Sequence, residues 1–258
     1  MSVEYTVNDD IAVITLHRPQ VFNSIDQSLS DSLGESLRRA SAEARAAVLT
    51  GSGKAFCAGA DLGDLLGEYD AGGPELENVI TERFNPAVQA VLAADVPVIA
   101  AVNGAAAGAG MGLALACDIR VMAETAFFMS AFINVALIPD TGSAWFLPQM
   151  VGVSRAMEIA MSGRRVPAEE ALALGLAVEV VPTSETVSAA IRRASAMANG
   201  PRQAYVATRR IIHSAAAASL EATLAREAEV QGQLGSQPAH REGMTAFVEK
   251  RPPNFRKG

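Results

Sequence analysis

The chain is poor in the residues on which several common chemistries depend. It has only three histidines, two cysteines and one tryptophan in 258 residues. His17, His213 and His240 lie far apart, and none stands in an HExxH or nucleophile-elbow context, so a metal hydrolase or a Ser-His-Asp triad has little support. Cys57 and Cys117 are too few for a disulfide framework and lack metal-ligand spacing, which predicts two reduced, packed thiols and no metal. No apolar run approaches the roughly 18 unbroken residues of a membrane span. The opening MSVEYTVNDD also lacks the basic and apolar segments of a secretion signal, so a cytoplasmic protein without a membrane partner is expected. Acidic residues outnumber basic ones 28 to 21, a net charge of −7. This argues against nucleic acid as a partner while leaving room for a local basic patch on an anionic ligand.

What is abundant is small and apolar. Half of the residues are hydrophobic but only 5% are aromatic, a composition suited to helices packed closely on a sheet. The length allows one large α/β domain with a small appendage. Val3, Tyr5 and Val7 alternate with polar residues, Asn8-Asp9-Asp10 reads as a turn, and Ile11 to Leu16 as a second strand. Ser24 or Asp26 is placed to cap a helix carrying Leu29, Leu33 and Leu37 on one face. Pro74 to Ala94 predicts a helix bent at Pro86, with Val79, Phe84, Val88 and Leu92 inward. Strands are expected at Ile119 to Met122, Phe127 to Ala131 and Val178 to Val181, with Gly163 and Gly175 ending the helices between. Beyond Thr183 only helical patterns follow, rich in Ala with Arg interspersed, and these are the candidates for subunit contacts. The expected division is a core at 1–195 and a helical region at 196–258.

The organising stretch is Pro97 to Asp118, PVIAAVNGAAAGAGMGLALACD. It reads as a strand (Val98 to Val102), a turn at Asn103-Gly104, and a helix whose start is lined only by Ala and Gly. Nothing shields the first free N–H groups of such a helix, and these carry the positive end of its dipole. An earlier stretch has the same construction: Ala47 to Thr50 as strand, Gly51-Ser52-Gly53 as turn, and Phe56 to Leu62 opening a helix. Either stretch alone is also what tight packing of helix on sheet requires. Together, two small-residue starts can aim one N–H each at a single oxygen, an oxyanion hole in which one donor is worth roughly 3 kcal/mol. Gly108, Gly110 and Gly112 do not follow the GxGxxG order of a dinucleotide site. The segment GDLLGEYDAGGP after Leu62 reads either as a mobile cover for the site or as a solvated loop.

Asp140 is the ionisable residue of most interest, with Leu137-Ile138-Pro139 before it and Trp145-Phe146-Leu147 after it. Burial there would raise its pKa and suit it to carrying a proton. An Asp capping the helix after Thr141 is the other reading of the same residues. Phe127, Phe128, Met129, Phe132 and Trp145 either shape an acyl pocket or are plain core.

Three motifs in order, Phe56-Cys57-Ala58-Gly59-Ala60-Asp61-Leu62, Asn103-Gly104 through Asp118, and Ile138-Pro139-Asp140-Thr141-Gly142, resemble the enoyl-CoA hydratase/isomerase (crotonase) superfamily. The resemblance runs over nearly the whole chain, from His17-Arg18-Pro19 and Asn23 to Phe247 through Arg251. It implies an α/β fold, a crotonase-like spiral of ββα units with a helical C-terminal trimerisation region. It also implies an acyl-CoA substrate and assembly as a homotrimer or a dimer of trimers. By that correspondence the backbone N–H groups of Ala60 and Ala109 form the oxyanion hole. Gln20, Phe22, Ser24, Ala58, Asp61 and Leu62 line the coenzyme A path, and Phe247 and Lys250 close the nucleotide end. Coenzyme A is then part of the substrate, and no separate cofactor is expected. Lys54, Arg83, Arg251 and Lys257 are further candidates for phosphate contacts.

The departures from the family pattern carry as much information as the match. The two glutamates of the hydratases correspond here to Gly112 and Phe132, neither of which can hold a water or move a proton. The remaining acid, Asp140, sits in a setting similar to the isomerase branch, most closely the ring-epoxide isomerase of phenylacetate degradation. The resemblance therefore implies double-bond isomerisation through a thioester enolate. Hydration or other enolate chemistry and a non-catalytic acyl-CoA binder are the alternatives. An aspartate in this turn is also the nucleophile of the family's dehalogenases, but their tryptophan and histidine correspond to Phe132 and Gln89.

Overall fold

The computed structural model describes residues 2–67 and 73–257, so the central part of the segment after Leu62, residues 68–72, lies outside the described residues, as do the side chains of Leu62, Asp64 and Lys257. The chain opens with the antiparallel hairpin β1 (Val3–Asn8) and β2 (Ile11–Leu16), turning through left-handed Asp9 and Asp10. Helix α1 (Gln27–Glu43) follows, with Asp26 as its cap, accepting from the Leu29 N–H at 2.7 Å. Leu29, Leu33 and Leu37 are buried, as their spacing predicts.

The body then repeats one pattern. A strand enters a central sheet, a three-residue strand enters a second sheet, and helices return the chain. The first turn is β3 (Ala46–Gly51), β4 (Ala55–Cys57), then α2 (Leu62–Gly67), α3 (Leu76–Val79) and α4 (Asn85–Ala93). The second is β5 (Val98–Val102), β6 (Ala105–Ala107) and α5 (Ala109–Ala116). The third is β7 (Ile119–Ala123), β8 (Phe127–Met129), a 3-10 turn at Ala131–Val135, and α6 (Ser143–Val151) with α7 (Val153–Ser162). β9 (Arg165–Pro167), α8 (Ala168–Ala173) and β10 (Glu179–Val181) complete it. Among the described residues the sheets run β1-β2-β3-β5-β7-β10 and β4-β6-β8-β9, parallel throughout except for the β1–β2 and β8–β9 pairs. This is the expected crotonase-like spiral of ββα units.

Both faces of the central sheet are covered, which is why its strands read as unbroken apolar runs. Ala47 and Leu49 of β3 face the cluster containing α1, α4 and α5, whereas Ala46 and Val48 face α9 (Thr186–Ala198). The α9 face is Ala189, Ala190, Ala194 and Ala198, small enough to bring the helix close to β3 and β5. Helices α10 (Arg202–Ala215), α11 (Leu220–Gly235) and α12 (Pro238–Glu249) end the chain. Because α9 continues to Ala198, the expected boundary at residue 195 falls inside its last turn.

Arginines fasten these layers at helix C-termini, where carbonyls lack intrahelical donors. Arg209 of α10 donates to the carbonyls of Val91, Leu92 and Ala94 at the end of α4. Arg202 reaches those of Ser41 and Ala44 at the end of α1. Arg45 takes those of Ala198 and Gly200 after α9.

Several local expectations are corrected. Phe56 does not open a helix: Ala55–Cys57 is a strand of the second sheet, and the helix begins only at Leu62. Between the Asn103-Gly104 turn and α5 lies strand β6, built of three alanines. The segment before β5 is not a helix simply bent at Pro86. A wide π-turn, Ile80–Phe84, joins α3 to α4, and Pro86 sits in the first turn of α4. The Glu82 carbonyl, which Pro86 has no N–H to serve, accepts instead from Gln27 Nε2 at 3.4 Å, and that of Arg83 from Ser30 Oγ at 2.6 Å.

Candidate active site

The loop after β4 and the start of α5 lie directly against each other. Gly59 has φ 86°, and a Cβ there would stand 2.9 Å from the Ala109 nitrogen and 2.7 Å from the Ala107 oxygen. A Cβ on Gly110 would overlap the Cys57 carbonyl. Glycine at both places is what lets the two segments close together. Ala109 is the first residue of α5, after Gly108 with φ 52°. Ala60 lies in the bend before α2, not at a helix start, so only one of the two candidate donors has a helix dipole behind it. Among the described residues neither the Ala60 nor the Ala109 N–H donates to a protein acceptor. Two free donors thus stand on adjoining segments.

The edge of this site toward the chain start is a tight knot. Buried Asn23, φ 59°, accepts from the Arg18 N–H and donates to the Ser52 and Ala55 carbonyls at 2.9 and 2.8 Å. The knot is tied to the candidate hole by Ala58 N–H to Phe22 O at 3.0 Å and Ile25 N–H to Gly59 O at 2.7 Å. Gln20 is exposed, as is Phe22, whose carbonyl accepts from Ala58. Ser24 is not free to line it: the residue is buried and its hydroxyl donates inward to Val21 O at 2.6 Å. Asp61 uses Oδ1 to cap α2 through the Gly63 N–H at 3.2 Å.

Asp140 lies on the loop between the 3-10 turn and α6. Burial pushes its carboxyl above the ordinary carboxylate range, and the Thr141 hydroxyl, donating to Oδ1 at 2.5 Å, opposes that rise. Asp140 also closes the turn into α6, its carbonyl accepting from the Ser143 N–H at 2.8 Å. The loop is seated on α5: a Cβ on Gly112 would overlap the Thr141 carbonyl oxygen. The Phe132 ring lies 3.9 Å from where a Cβ on Gly108 would be, so an apolar wall stands at the N-cap of α5. Phe128 is core, whereas Phe127 lies under the Arg165 guanidinium at 4.4 Å.

Other expected contributors stand elsewhere. Phe247 is 81% exposed on α12, and Lys250 follows it in a left-handed cap; α12 packs chiefly on α11 and the terminal turn Phe255–Lys257. Arg251 is committed to Glu242 and Glu249 at 2.7 and 2.6 Å. Leu62 opens α2, but its side chain lies outside those described. A contact that periodicity could not reveal joins α6 to α10. Trp145 packs edge-on against His213 at 5.6 Å, and burial holds that imidazole below its usual pKa.

The sequence profile of enoyl-CoA hydratase/isomerase matches residues 6–258. A protein of Rhodobacter capsulatus named probable enoyl-CoA hydratase is 46% identical over 254 residues, 98% of this chain and 97% of its own length. The 1,2-epoxyphenylacetyl-CoA isomerase of Escherichia coli is 36% identical over 251 residues, covering 96% of each. The crystal structure of an enoyl-CoA hydratase from a Polaromonas species superposes with a TM-score of 0.92 at 32% identity, over 98% of both chains. With its sequence matched almost end to end and its ββα spiral shared with solved relatives, the chain belongs to the enoyl-CoA hydratase/isomerase family.

Proposed function

We propose that this member of the family moves a carbon–carbon double bond in an acyl-CoA thioester, with Asp140 as the proton carrier and the N–H groups of Ala60 and Ala109 as the oxyanion hole. The observation that carries the reading is one half-buried carboxylate, its pKa raised by burial, on a turn seated against Gly112, which with Phe132 is the residue that the family resemblance sets at the hydratase glutamate positions. With a 3-enoyl-CoA, the Asp140 carboxylate takes a proton from carbon 2. The electron pair of that C–H bond enters the conjugated system, and the thioester oxygen gains negative charge between the two amides. The Asp140 carboxylic acid then returns its proton to carbon 4, leaving the double bond between carbons 2 and 3. Proton and charge balance within the site, and no separate cofactor is required.

Coenzyme A follows Gln20, Phe22, Ala58, Asp61 and Leu62 in this reading. Phe247 and Lys250, exposed on their own subunit, close the nucleotide end of a neighbour's site. Residues 196–258 form the assembly region of a homotrimer or a dimer of trimers. Support comes from exposed apolar residues of the last three helices, Ile212, Leu220, Leu224, Met244, Phe247 and Val248. Met244 also lines a cleft of about 1100 Å³ between α10, α11 and α12. Among the described residues no helix is long and apolar enough to cross a membrane, and the proposed setting is the cytoplasm.

The test is to mix a 3-enoyl-CoA with the protein and with Asp140→Asn and follow the absorbance of the conjugated thioester. Equal rates would remove Asp140 from the chemistry. Hydration is the second reading, favoured by the name of the Rhodobacter capsulatus relative. Formation of 3-hydroxyacyl-CoA from a 2-enoyl-CoA would select it.

A further inference from the structure

Thr141 sits one residue beyond the carboxylate, and nearly everything it touches bears on that carboxylate. Its backbone is left-handed, φ 52°, a conformation costly for a β-branched residue and kept only where the surroundings over-determine it. Here they do. The residue is 2% exposed, and its carbonyl occupies the space that a side chain on Gly112 would need. Gly142 is left-handed as well, φ 77°, and a Cβ there would stand 2.6 Å from the Phe146 ring. The Ser143 N–H closes the turn onto the Asp140 carbonyl. With its backbone held in this way, Thr141 donates its hydroxyl to Oδ1 of Asp140 at 2.5 Å. Oδ2 accepts no hydrogen bond among the described residues.

We infer that Thr141 is a positioning residue: its hydroxyl holds Oδ1 of Asp140, so that Oδ2 alone faces the substrate and carries the proton. The inference rests on the isomerase reading above. A carboxylate free at both oxygens turns about its Cβ–Cγ bond, whereas one tethered oxygen fixes the plane of the group. The atom that removes the proton from carbon 2 is then the atom that stands over carbon 4 to return it. Between the two steps the acid keeps its proton on Oδ2, because Oδ1 is occupied as an acceptor. No group is added or lost: one C–H bond breaks, one O–H bond forms and breaks, and one C–H bond forms.

The experiment compares wild type, Thr141→Val, Thr141→Ser and Asp140→Asn on a 3-enoyl-CoA deuterated at carbon 2. It reads the pH profile of kcat/KM and the fraction of label delivered to carbon 4 rather than lost to solvent. Burial and the Thr141 bond are the two causes acting on the Asp140 carboxyl, with no charged side chain among them, so a displaced acid limb reports on this hydrogen bond. Removing the hydroxyl withdraws a donor that favours the carboxylate, which moves the acid limb to higher pH. Misplacing the base lowers kcat by roughly 10- to 100-fold and cuts the transferred fraction. Thr141→Ser restores the profile and the transfer. Thr141→Ala, which relieves the β-branch in a left-handed backbone, serves where Thr141→Val does not fold. A hydroxyl-free variant with the wild-type acid limb and transfer overturns the inference, as does Thr141→Ser behaving like Thr141→Val. No conversion by wild type defeats the isomerase reading itself and the inference with it, whereas full activity in Asp140→Asn removes Asp140 from the chemistry and overturns the inference.

Discussion

The Arg209 guanidinium meets the Asp118 carboxylate in a two-bond fork, Nε to Oδ1 at 2.7 Å and Nη2 to Oδ2 at 2.8 Å, with Arg209 6% exposed. Its remaining donors are taken by backbone carbonyls, including Val96 O at 2.6 Å, and Asp118 Oδ2 also accepts from the Val98 N–H. The pair joins α10 to the strand ends that lead into the site. Removing one partner of a buried pair of this kind leaves the other unmatched, at a cost of about 3–5 kcal/mol. Arg209→Leu and Asp118→Asn are therefore each expected to lower the melting temperature by roughly 6–20 °C. Arg209→Lys should recover little, because an ammonium cannot supply the fork. Calorimetric melts that move by less than a degree would show that the clamp contributes nothing.

Gly59→Ala tests the candidate oxyanion hole without touching a side chain of the site. The new Cβ would lie 2.9 Å from the Ala109 nitrogen and 2.7 Å from the Ala107 oxygen, at a residue with φ 86°. The Ala60 peptide must turn or the start of α5 must retreat, and either movement misdirects a donor. The expected result is a fall in kcat of about 100- to 1000-fold, the usual effect of losing one such donor. The left-handed backbone adds roughly 1–2 kcal/mol of destabilisation. Kinetics run beside thermal melts separate the two effects, and a wild-type kcat would remove this loop from the hole.

Much of this was legible in the sequence because it is written in periodicity and caps. The stripe Leu29, Leu33 and Leu37, the Asp26 cap and the hairpin turn at Asp9-Asp10 all behave as their residue types require. The short strands of the second sheet were not legible. Ala105–Ala107 has little β-propensity and is too brief to show alternation, so only its pairing with Ala55–Cys57 and Phe127–Met129 defines it. Asp140 stood out through its apolar neighbours, whereas its seating did not. The Thr141 carbonyl meets Gly112 across elements far apart in the chain, a contact set by the packing of the turn on α5. Ser24 misled for the opposite reason, since a small polar residue in a loop looks available until its hydroxyl is found turned inward.

Restoring the hydratase glutamates should not restore hydration. A side chain on Gly112 would enter the space of the Thr141 carbonyl, so Gly112→Glu displaces the turn that carries Asp140. Even Gly112→Ala is expected to cost about 1–3 kcal/mol by overpacking and to lower isomerase activity through the same shift. Gly112→Glu alone, or combined with Phe132→Glu, should form no 3-hydroxyacyl-CoA from a 2-enoyl-CoA by chromatographic product analysis. Hydration by the double variant would mean that the turn yields and that the two chemistries are separated by side-chain identity alone.

Asp140 should cost the protein stability for the sake of its chemistry, and the sign of that cost is fixed by the direction of its pKa. Burial raises the folded-state pKa of this carboxyl above its value in the unfolded chain, near 3.9 for an ordinary Asp. Between the two values the native state holds more protons than the unfolded one, so stability falls as pH rises through that window and stays lower above it. Asp140→Asn keeps the shape and removes the buried charge. It is therefore expected to melt above wild type at pH 7, with the gap narrowing as pH falls through that window and closed below about 4, where both side chains are neutral. The same variant loses isomerisation, and wild-type kcat/KM falls on the acid side of the raised pKa, because only the carboxylate can accept a proton. A variant that melts below wild type at pH 7 would mean that the Thr141 hydrogen bond outweighs burial, leaving Asp140 as a structural turn residue.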